Sequence, residues 1–144
     1  MPDKNTNKNQ APAQKKEADK LQPKTSGKRI MIAEDEHALA HALELKLTHE
    51  GYGTKIVEDG ARALESVEEF KPHLILLDLI MPKMDGFKFL EEIKNSKNVA
   101  PVIVLSNLGQ DEDKKRAESF GVQGYFVKAN TPIAEIVKKI KSLI

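Results

Sequence analysis

Five short apolar segments alternate with five amphipathic segments between residues 29 and 144. None of the apolar segments contains regularly alternating polar residues, a pattern typical of parallel strands that are buried on both faces. The intervening segments place aliphatic residues three or four positions apart, which is the spacing of one helical face. The sequence therefore predicts an α/β fold, a doubly wound five-stranded parallel sheet with helices on both faces. The predicted strands are 29–33, 53–57, 73–78, 102–105 and 125–127.

Turn and cap residues mark the ends of several predicted helices. Asp85-Gly86 opens the third helix. Thr131-Pro132 predicts the start of the last helix, with Thr131 as the N-cap and Pro132 in the first helical position. The fourth predicted helix, 110–120, contains only two apolar residues. We therefore expect that helix to be short and loosely held.

The composition excludes several classes of protein. The chain has 144 residues, about the size of one domain, and it has no cysteine, so neither a disulfide framework nor a thiolate metal site can form. No apolar run approaches the roughly 20 residues that are needed to span a bilayer. These features predict a cytoplasmic protein that does not bind membranes.

The first 27 residues differ in composition from the rest of the chain. Residues 1–28 contain seven lysines and three acidic residues, whereas residues 29–144 contain 16 basic and 19 acidic residues. The low apolar content predicts a disordered Lys-rich tail, 1–27, ahead of one folded domain, 28–144. The tail lysines are dispersed and the folded part is net acidic, so we expect no direct binding to nucleic acid.

Charged or polar residues stand at the ends of four predicted strands. Glu34 and Asp35 follow the first strand, Asp78 ends the third, Ser106 follows the fourth and Lys128 follows the fifth. In sheets of this kind, ligands bind beyond the carboxyl ends of the strands, where the strand order reverses. With the order 2-1-3-4-5, the first and third strands are neighbours. The five residues would then share one edge of the sheet.

That edge would have the chemistry of a metal-assisted phosphate site. Carboxylates without His or Cys are the ligands that a hard ion such as Mg²⁺ prefers, and the ion would offset repulsion between close acids. The Lys128 ammonium and the Ser106 hydroxyl can donate to phosphate oxygens. A carboxylate can act as the nucleophile in phosphoryl transfer, which makes Asp78 the candidate phosphoacceptor.

Simpler interpretations exist for several of these residues. An Asp at the end of an apolar strand is often only a turn former or a helix cap, so Asp78 alone would be ambiguous. Glu36 and Asp85 are interpreted as helix caps rather than metal ligands, and Lys128 in isolation could be a solvated strand end. The four histidines have no metal-site spacing and are assigned no chemistry.

Four motifs stand in order along residues 29–143. They are Ile32-Ala33-Glu34-Asp35-Glu36, Leu76-Leu77-Asp78-Leu79-Ile80-Met81-Pro82-Lys83-Met84-Asp85-Gly86, Val104-Leu105-Ser106-Asn107-Leu108-Gly109 and Gly124-Tyr125-Phe126-Val127-Lys128. Together they resemble the receiver domain of bacterial two-component response regulators. The resemblance implies a flavodoxin-like sheet of order 2-1-3-4-5 and a single-domain signalling switch rather than an enzyme that acts on other molecules.

The resemblance also implies roles at the metal side of the site. Asp78 would accept a phosphoryl group from a sensor histidine kinase or a phosphotransfer protein. Asp35 and Asp78 would bind Mg²⁺ together with the backbone carbonyl of Ile80, and Glu34 would hold the ion through water.

On the phosphate side, Lys128 and Ser106 would contact the phosphoryl group, and Ser106 and Tyr125 would move on activation. Downstream proteins would bind the face formed by the fourth helix, the fifth strand and the fifth helix.

The sequence departs from the commonest family pattern at five residues. Glu34 replaces the more usual Asp, and Asn107 stands where a small residue is typical. Ala129 follows Lys128 where the family usually has a proline after a cis bond, and a cis bond before another residue costs about 3 kcal/mol, so the sequence leaves this loop's geometry open. Ile80 and Leu108 are apolar at positions that flank the phosphate. We expect slow loss of the phosphoryl group, because attacking water would find few polar partners there.

Two other functions are compatible with parts of the pattern. A haloacid-dehalogenase-like phosphatase also uses a strand-end Asp and Mg²⁺, but it needs a second Asp at the position of Ile80. A receiver-like interaction module that is never phosphorylated would not need the full set of Asp35, Asp78, Ser106 and Lys128. No output domain follows Ile144, so we expect a stand-alone receiver or one cut from a longer chain.

Overall fold

The strict alternation of strands and helices is confirmed in a computed structural model, in which we describe residues 27–96 and 100–144. The predicted tail, 1–27, lies outside the described residues except for Gly27. No helix of the described ranges is long and apolar enough to cross a membrane. The elements are β1 (Arg29–Ala33), α1 (His37–His49), β2 (Gly53–Val57), α2 (Gly60–Phe70), β3 (Leu74–Leu77), α3 (Gly86–Lys94), β4 (Val102–Ser106), α4 (Asp111–Glu118), β5 (Gly124–Val127), a 3₁₀ turn (Lys128–Asn130) and α5 (Ile133–Leu143).

The five strands form one parallel sheet in the order β2-β1-β3-β4-β5, as predicted. Ala33, the last residue of β1, pairs with Leu77, the last residue of β3, and Leu77 pairs with Val104 in β4. The carboxyl ends of these neighbouring strands are therefore nearly level. Whatever follows β1 and β3 in the sequence must meet at one edge of the sheet.

Helices cover both faces of the sheet, and each face has its own apolar core. α2, α3 and α4 pack on one face and α1 and α5 on the other. The strands alternate their side chains between these two cores, since successive residues of a strand point to opposite faces. In β1, for example, Met31 and Ala33 belong to the first core, and Ile30 and Ile32 to the second.

The helices are anchored to very different extents. α5 buries Ile136, Val137 and Ile140, whereas the eight-residue α4 buries only Ala117. The guanidinium of Arg116 adds a contact by stacking over the ring of Phe87 in α3, 4.0 Å from its centroid. The prediction that α4 is short is confirmed.

Side chains cap some helices as expected and fail to cap others. The Asp85 carboxylate accepts a hydrogen bond from the Lys88 N–H at 2.9 Å, which confirms its predicted capping role. The predicted N-cap of α5 is wrong, because Pro132 occupies the cap position. The Thr131 hydroxyl instead donates to the Val127 carbonyl at 2.8 Å, which ties Thr131 to the turn that follows β5.

Two glycines allow the loop between β3 and α3 to pack closely. A Cβ atom at Gly60, the first residue of α2, would collide with the carbonyl oxygen of Met84 in this loop. A Cβ atom at Gly86 would lie 2.6 Å from the Leu79 Cα and 2.8 Å from the Asp78 carbonyl oxygen. The loop after Asp78 is thus held between the starts of α2 and α3.

Candidate functional site

Three carboxylates converge at the carboxyl ends of β1 and β3. The Glu34 N–H donates to the Val57 carbonyl and the Asp78 N–H donates to the Ala33 carbonyl, both at 2.9 Å, so sheet pairing continues just beyond the strands. One oxygen each of Glu34, Asp35 and Asp78 lies within 4.8 Å of the others. Glu34 and Asp78 are buried, with 2% and 5% of their surface exposed, whereas Asp35 is exposed.

Lys128, at the start of the 3₁₀ turn after β5, joins this cluster. Its Nζ lies 2.9 Å from Asp78 Oδ2 and 2.9 Å from Glu34 Oε1. Only 11% of the Lys128 side chain is exposed. Lys128 is therefore not a solvated strand end and lies at the same edge of the sheet as Asp78, whereas its contact with a phosphoryl group stays a prediction.

Glu36 was predicted to be a helix cap rather than a metal ligand, and its position at the start of α1 agrees with that prediction. It occupies the N-cap position of α1, but its side chain makes no capping hydrogen bond. Its carboxylate instead lies 3.2 Å from the Lys128 Nζ. In the sequence, Glu36 is only the third acid of a run of three. That pattern gives no sign of a contact with a residue 92 positions away.

The electrostatics of the cluster differ between its members. Burial raises the pKa of Glu34 to about 7, and the charge of Asp78 adds to this, although hydrogen bonds from Lys128 and from the Glu36 N–H act in the opposite direction. Burial also opposes the charge of Lys128, but its hydrogen bonds to Glu34 and Asp78 outweigh this and raise its pKa well above the usual range. Lys128 is charged at every physiological pH.

The donor set fits a hard divalent cation. The three acids offer only oxygen ligands, and Mg²⁺ usually takes one or two carboxylates and completes its shell with water and phosphate oxygens. The three acids are grouped with a single ammonium, that of Lys128, so a divalent cation would offset the remaining negative charge. A cavity of about 210 Å³ opens beside the acids, lined by Asp35, Glu36, Asp78, Ile80, Asn107 and Lys128.

Ile80 lies at the mouth of this cavity. Its N–H donates to Asp78 Oδ1 at 3.1 Å, which orients the carboxylate, while its side chain is 56% exposed. A large apolar side chain this exposed is unusual within the described residues, where only Leu45 is comparable. The role of the Ile80 carbonyl as a metal ligand stays a prediction.

Ser106 and Tyr125 lie beside the cavity rather than in its lining. Ser106 is fully buried, and its hydroxyl accepts from the Leu108 N–H at 3.4 Å. The half-buried Tyr125 donates from its hydroxyl to the Leu108 carbonyl. The Leu108 backbone therefore connects the two predicted switch residues, a link that the sequence did not reveal. The Leu108 side chain packs against the core beneath α2, α3 and α4.

Comparison with known proteins identifies the family. The family model of the response regulator receiver domain matches residues 30–141 of this sequence. That segment contains every site residue described above. The chain belongs to the response regulator receiver family. This receiver is 36% identical over 115 residues to response regulator RR06 of Streptococcus pneumoniae. It is 29% identical over 117 residues to the alkaline phosphatase synthesis transcriptional regulatory protein PhoP of Bacillus subtilis.

These matches cover 80% and 81% of this receiver but only 52% and 48% of the two relatives. The chain thus spans about half the length of the curated relatives it matches. Among solved structures, a CheY-like receiver from Methanospirillum hungatei superposes with a TM-score of 0.76 at 26% identity, covering 81% of this chain and 93% of that one. The predicted flavodoxin-like fold is confirmed.

Proposed function

We propose that this receiver is a phosphorylation-dependent switch that takes a phosphoryl group on Asp78 from a phosphohistidine of a sensor kinase or phosphotransfer protein. The observation that carries the proposal is the juxtaposition of three acids within 4.8 Å and a buried ammonium 2.9 Å from Asp78. A purely structural ion pair would not need the two further acids. The cytoplasmic location and the absence of an enzymatic activity on other molecules remain predictions.

Glu34, Asp35 and Asp78 would hold Mg²⁺, which when bound neutralises charge that builds up on the phosphoryl oxygens. Asp78 has one oxygen directed by the Ile80 N–H and the other by Lys128, so the carboxylate is held in a fixed orientation. Positioning of this kind supplies most of the catalysis in phosphoryl transfer, since the protein has little covalent chemistry to perform.

In the transfer step, an Asp78 oxygen forms a bond to phosphorus while the phosphorus–nitrogen bond of the donor histidine breaks. The electron pair of that bond stays on the imidazole nitrogen, which takes a proton from solvent. After the transfer, the Asp78 carbonyl oxygen is neutral and the phosphoryl oxygens are negatively charged. Lys128 would therefore move its hydrogen bond from Asp78 to a phosphoryl oxygen, because a charge-assisted hydrogen bond is stronger than one to a neutral acceptor.

The conformational change on phosphorylation would be transmitted through the Leu108 backbone. If the Ser106 hydroxyl turned toward the phosphoryl group, it would release the Leu108 N–H, and the Leu108 carbonyl that receives the Tyr125 hydroxyl would move with it. Tyr125 lies in β5 and packs against the core that contains Ala117 of the weakly anchored α4. The face of α4, β5 and α5 is therefore the surface on which we expect a downstream protein to bind.

Neither alternative function has comparable support. A haloacid-dehalogenase-like phosphatase would need a general acid two residues after the nucleophile, where Ile80 stands. An interaction module without phosphorylation would leave the burial of Glu34 and Asp78 beside Lys128 unexplained, since buried charges are costly.

Incubation with Mg²⁺ and acetyl phosphate, followed by intact-mass measurement, tests the proposal. We expect the mass of one phosphoryl group to be added to the protein and to be absent from Asp78→Asn. The matched control is Asp85→Asn, in the same loop, because Asn also caps helices and Asp85 lies outside the cluster. Unmodified protein, or modification that persists in Asp78→Asn, would refute the proposed function.

The exposed Ile80 side chain supports slow hydrolysis of the phosphoryl group. It lines the cavity through which water must approach Asp78, and it offers that water no hydrogen bond. Because Leu108 is turned into the core, we assign the effect mainly to Ile80. Radiolabel decay after removal of the donor should be faster in Ile80→Asn, and an unchanged lifetime would contradict this assignment.

A further inference from the structure

Glu36 is placed differently from the other acids of the site. Its own N–H donates to Glu34 Oε2 at 3.0 Å, so its backbone is fixed against the cluster. Its side chain is 61% exposed, compared with 3% for Glu34 and 5% for Asp78. A carboxylate with this exposure can leave its partner for water at little cost, because exposed ion pairs contribute little.

The Lys128 ammonium is fully occupied in this arrangement. A lysine has three N–H donors, and among the described residues three carboxylates lie against the Lys128 Nζ. Glu34 and Asp78 lie at 2.9 Å and Glu36 at 3.2 Å. A phosphoryl oxygen that pairs with Lys128 must therefore displace one of the three.

The three partners of Lys128 are not equally replaceable. Glu34 and Asp78 belong to the group that can hold a metal, and their side chains are 3% and 5% exposed, so neither can turn to water when it loses Lys128. Glu36 is outside that group and is the most distant and most exposed of the three. Its oxygen is also no more than about 6 Å from Asp78 Oδ2, since both contact the same Nζ, and at that range two negative charges repel measurably.

We propose that Glu36 is a positioning residue that holds the third N–H of Lys128 until a phosphoryl group replaces it, and that it thereby slows phosphorylation of Asp78. This inference rests on the proposed function. In the unphosphorylated protein Glu36 keeps Lys128 over the acids. On phosphoryl transfer the Glu36 carboxylate swings into solvent, and the phosphoryl oxygen takes its place on the ammonium.

The first test compares initial rates of phosphorylation by acetyl phosphate at saturating Mg²⁺. Glu36→Gln should be phosphorylated about two- to fivefold faster than the parent, the range expected for loss of one exposed ion pair and one nearby charge. The difference should shrink as salt is added, because exposed charges are screened. The matched control is Glu65→Gln, an exposed acid in α2, which should leave the rate unchanged. Equal rates for parent and Glu36→Gln, or an equal gain in Glu65→Gln, would overturn the inference.

The second test needs no phosphorylation. NMR of ¹⁵N-labelled lysine ammonium groups in metal-free protein should show a slowly exchanging Lys128 signal, because all three of its protons are bonded. In Glu36→Gln the exchange should be faster, while Glu65→Gln should match the parent. An unchanged Lys128 signal in Glu36→Gln would overturn the proposed contact. If Asp78 is not phosphorylated in any variant while this signal responds as expected, the proposed function fails and the Glu36–Lys128 pairing stands.

Discussion

Burial has opposite effects on the free energy of the apolar layers and of the charged edge of the sheet. β3 leads from one region to the other: Leu74 to Leu77 are at most 2% exposed among other apolar side chains, and the next residue, Asp78, is 5% exposed among charges. Burial stabilises the first group by removing apolar surface from water. The same burial disfavours the charged form of a carboxylate, which is the cause of the raised pKa of Glu34.

The apolar layers therefore stabilise the receiver, whereas the charged edge carries the residues of the candidate site. Among the described residues five polar or charged side chains are buried, and three of them, Glu34, Asp78 and Ser106, lie at the candidate site. If this division is correct, changes in the core should lower stability, and a neutral residue at the edge should raise it.

The largest expected effect is in the core. Ile140 of α5 is fully buried, and Ile140→Ala should lower the free energy of unfolding by about 2–5 kcal/mol, since it removes apolar contacts and leaves a cavity. Urea denaturation followed by circular dichroism measures this. Lys138→Ala, exposed on the same helix, should change stability by less than about 0.5 kcal/mol. A similar loss of stability in both variants would contradict the assignment of α5 stability to its buried apolar face.

At the edge, Glu34→Gln should stabilise the metal-free protein at high pH. The pKa of Glu34 is raised from 4.5 to about 7, so the folded state holds a proton more tightly than the unfolded state, and stability falls as pH rises through this window. At pH 8 the variant should be more stable than the parent by about 3 kcal/mol at most, and at pH 4 the two should be nearly equal.

Urea denaturation in EDTA across this pH range tests the prediction. Ionisable groups that do not contact Glu34 cancel in the difference between parent and variant. Mg²⁺ binding to the parent at neutral pH should release protons, because the positive charge of the metal favours the ionised form of Glu34. A parent that gains stability relative to Glu34→Gln as pH rises would reverse the assigned sign.

Gly86 lies where core and edge meet, and Gly86→Ala should affect both. The added methyl group would press on the backbone of Asp78 and Leu79, which costs about 1–3 kcal/mol and outweighs the better helix propensity of Ala. We also expect slower phosphorylation by acetyl phosphate. Gly109→Ala is the matched control, because its Cβ would meet nothing closer than 3.6 Å. Equal stability and equal rates in the two variants would contradict this role.

The smallest effect is expected in α4, the least anchored part of the core. Arg116→Ala removes the stacking on Phe87 and should cost about 0.5–1 kcal/mol. Amide hydrogen exchange should quicken within 111–118 and not within 133–143. Lys115→Ala, the exposed neighbour, should leave exchange in α4 as it is in the parent. Uniform protection of α4 and α5 in the parent would show that the two helices are equally anchored.

The sequence pattern was sufficient for a parallel sheet covered by helices and for the residues at its edge, and the resemblance to receiver domains supplied the strand order. Continuous apolar strands separated by amphipathic helices allow few topologies, and the level ends of β1 and β3 follow from the strand order. Glu34, Asp35, Asp78 and Lys128 could therefore be assigned to one place, where the structure brings them together.

Contacts that depend on how far a side chain reaches were not predictable. Local rules made Glu36 a helix cap and Thr131 an N-cap, but Lys128 and the Val127 carbonyl offer these side chains stronger or nearer partners. The same holds for the Arg116–Phe87 stacking, since neither residue signals the other in a sequence pattern. Periodicity reports which face is buried and not which polar atoms meet.

The close approach of Gly60 to the Met84 carbonyl has a mechanical consequence. With no room for a methyl group between them, the loop after Asp78 cannot shift toward α2 without pushing the first turn of that helix. If Asp78 accepts a phosphoryl group as proposed, a displacement that begins there would have two routes through the molecule. One would run through Leu108 to α4 and β5, and the other would run through Met84 to α2, which packs beside the outer strand β2.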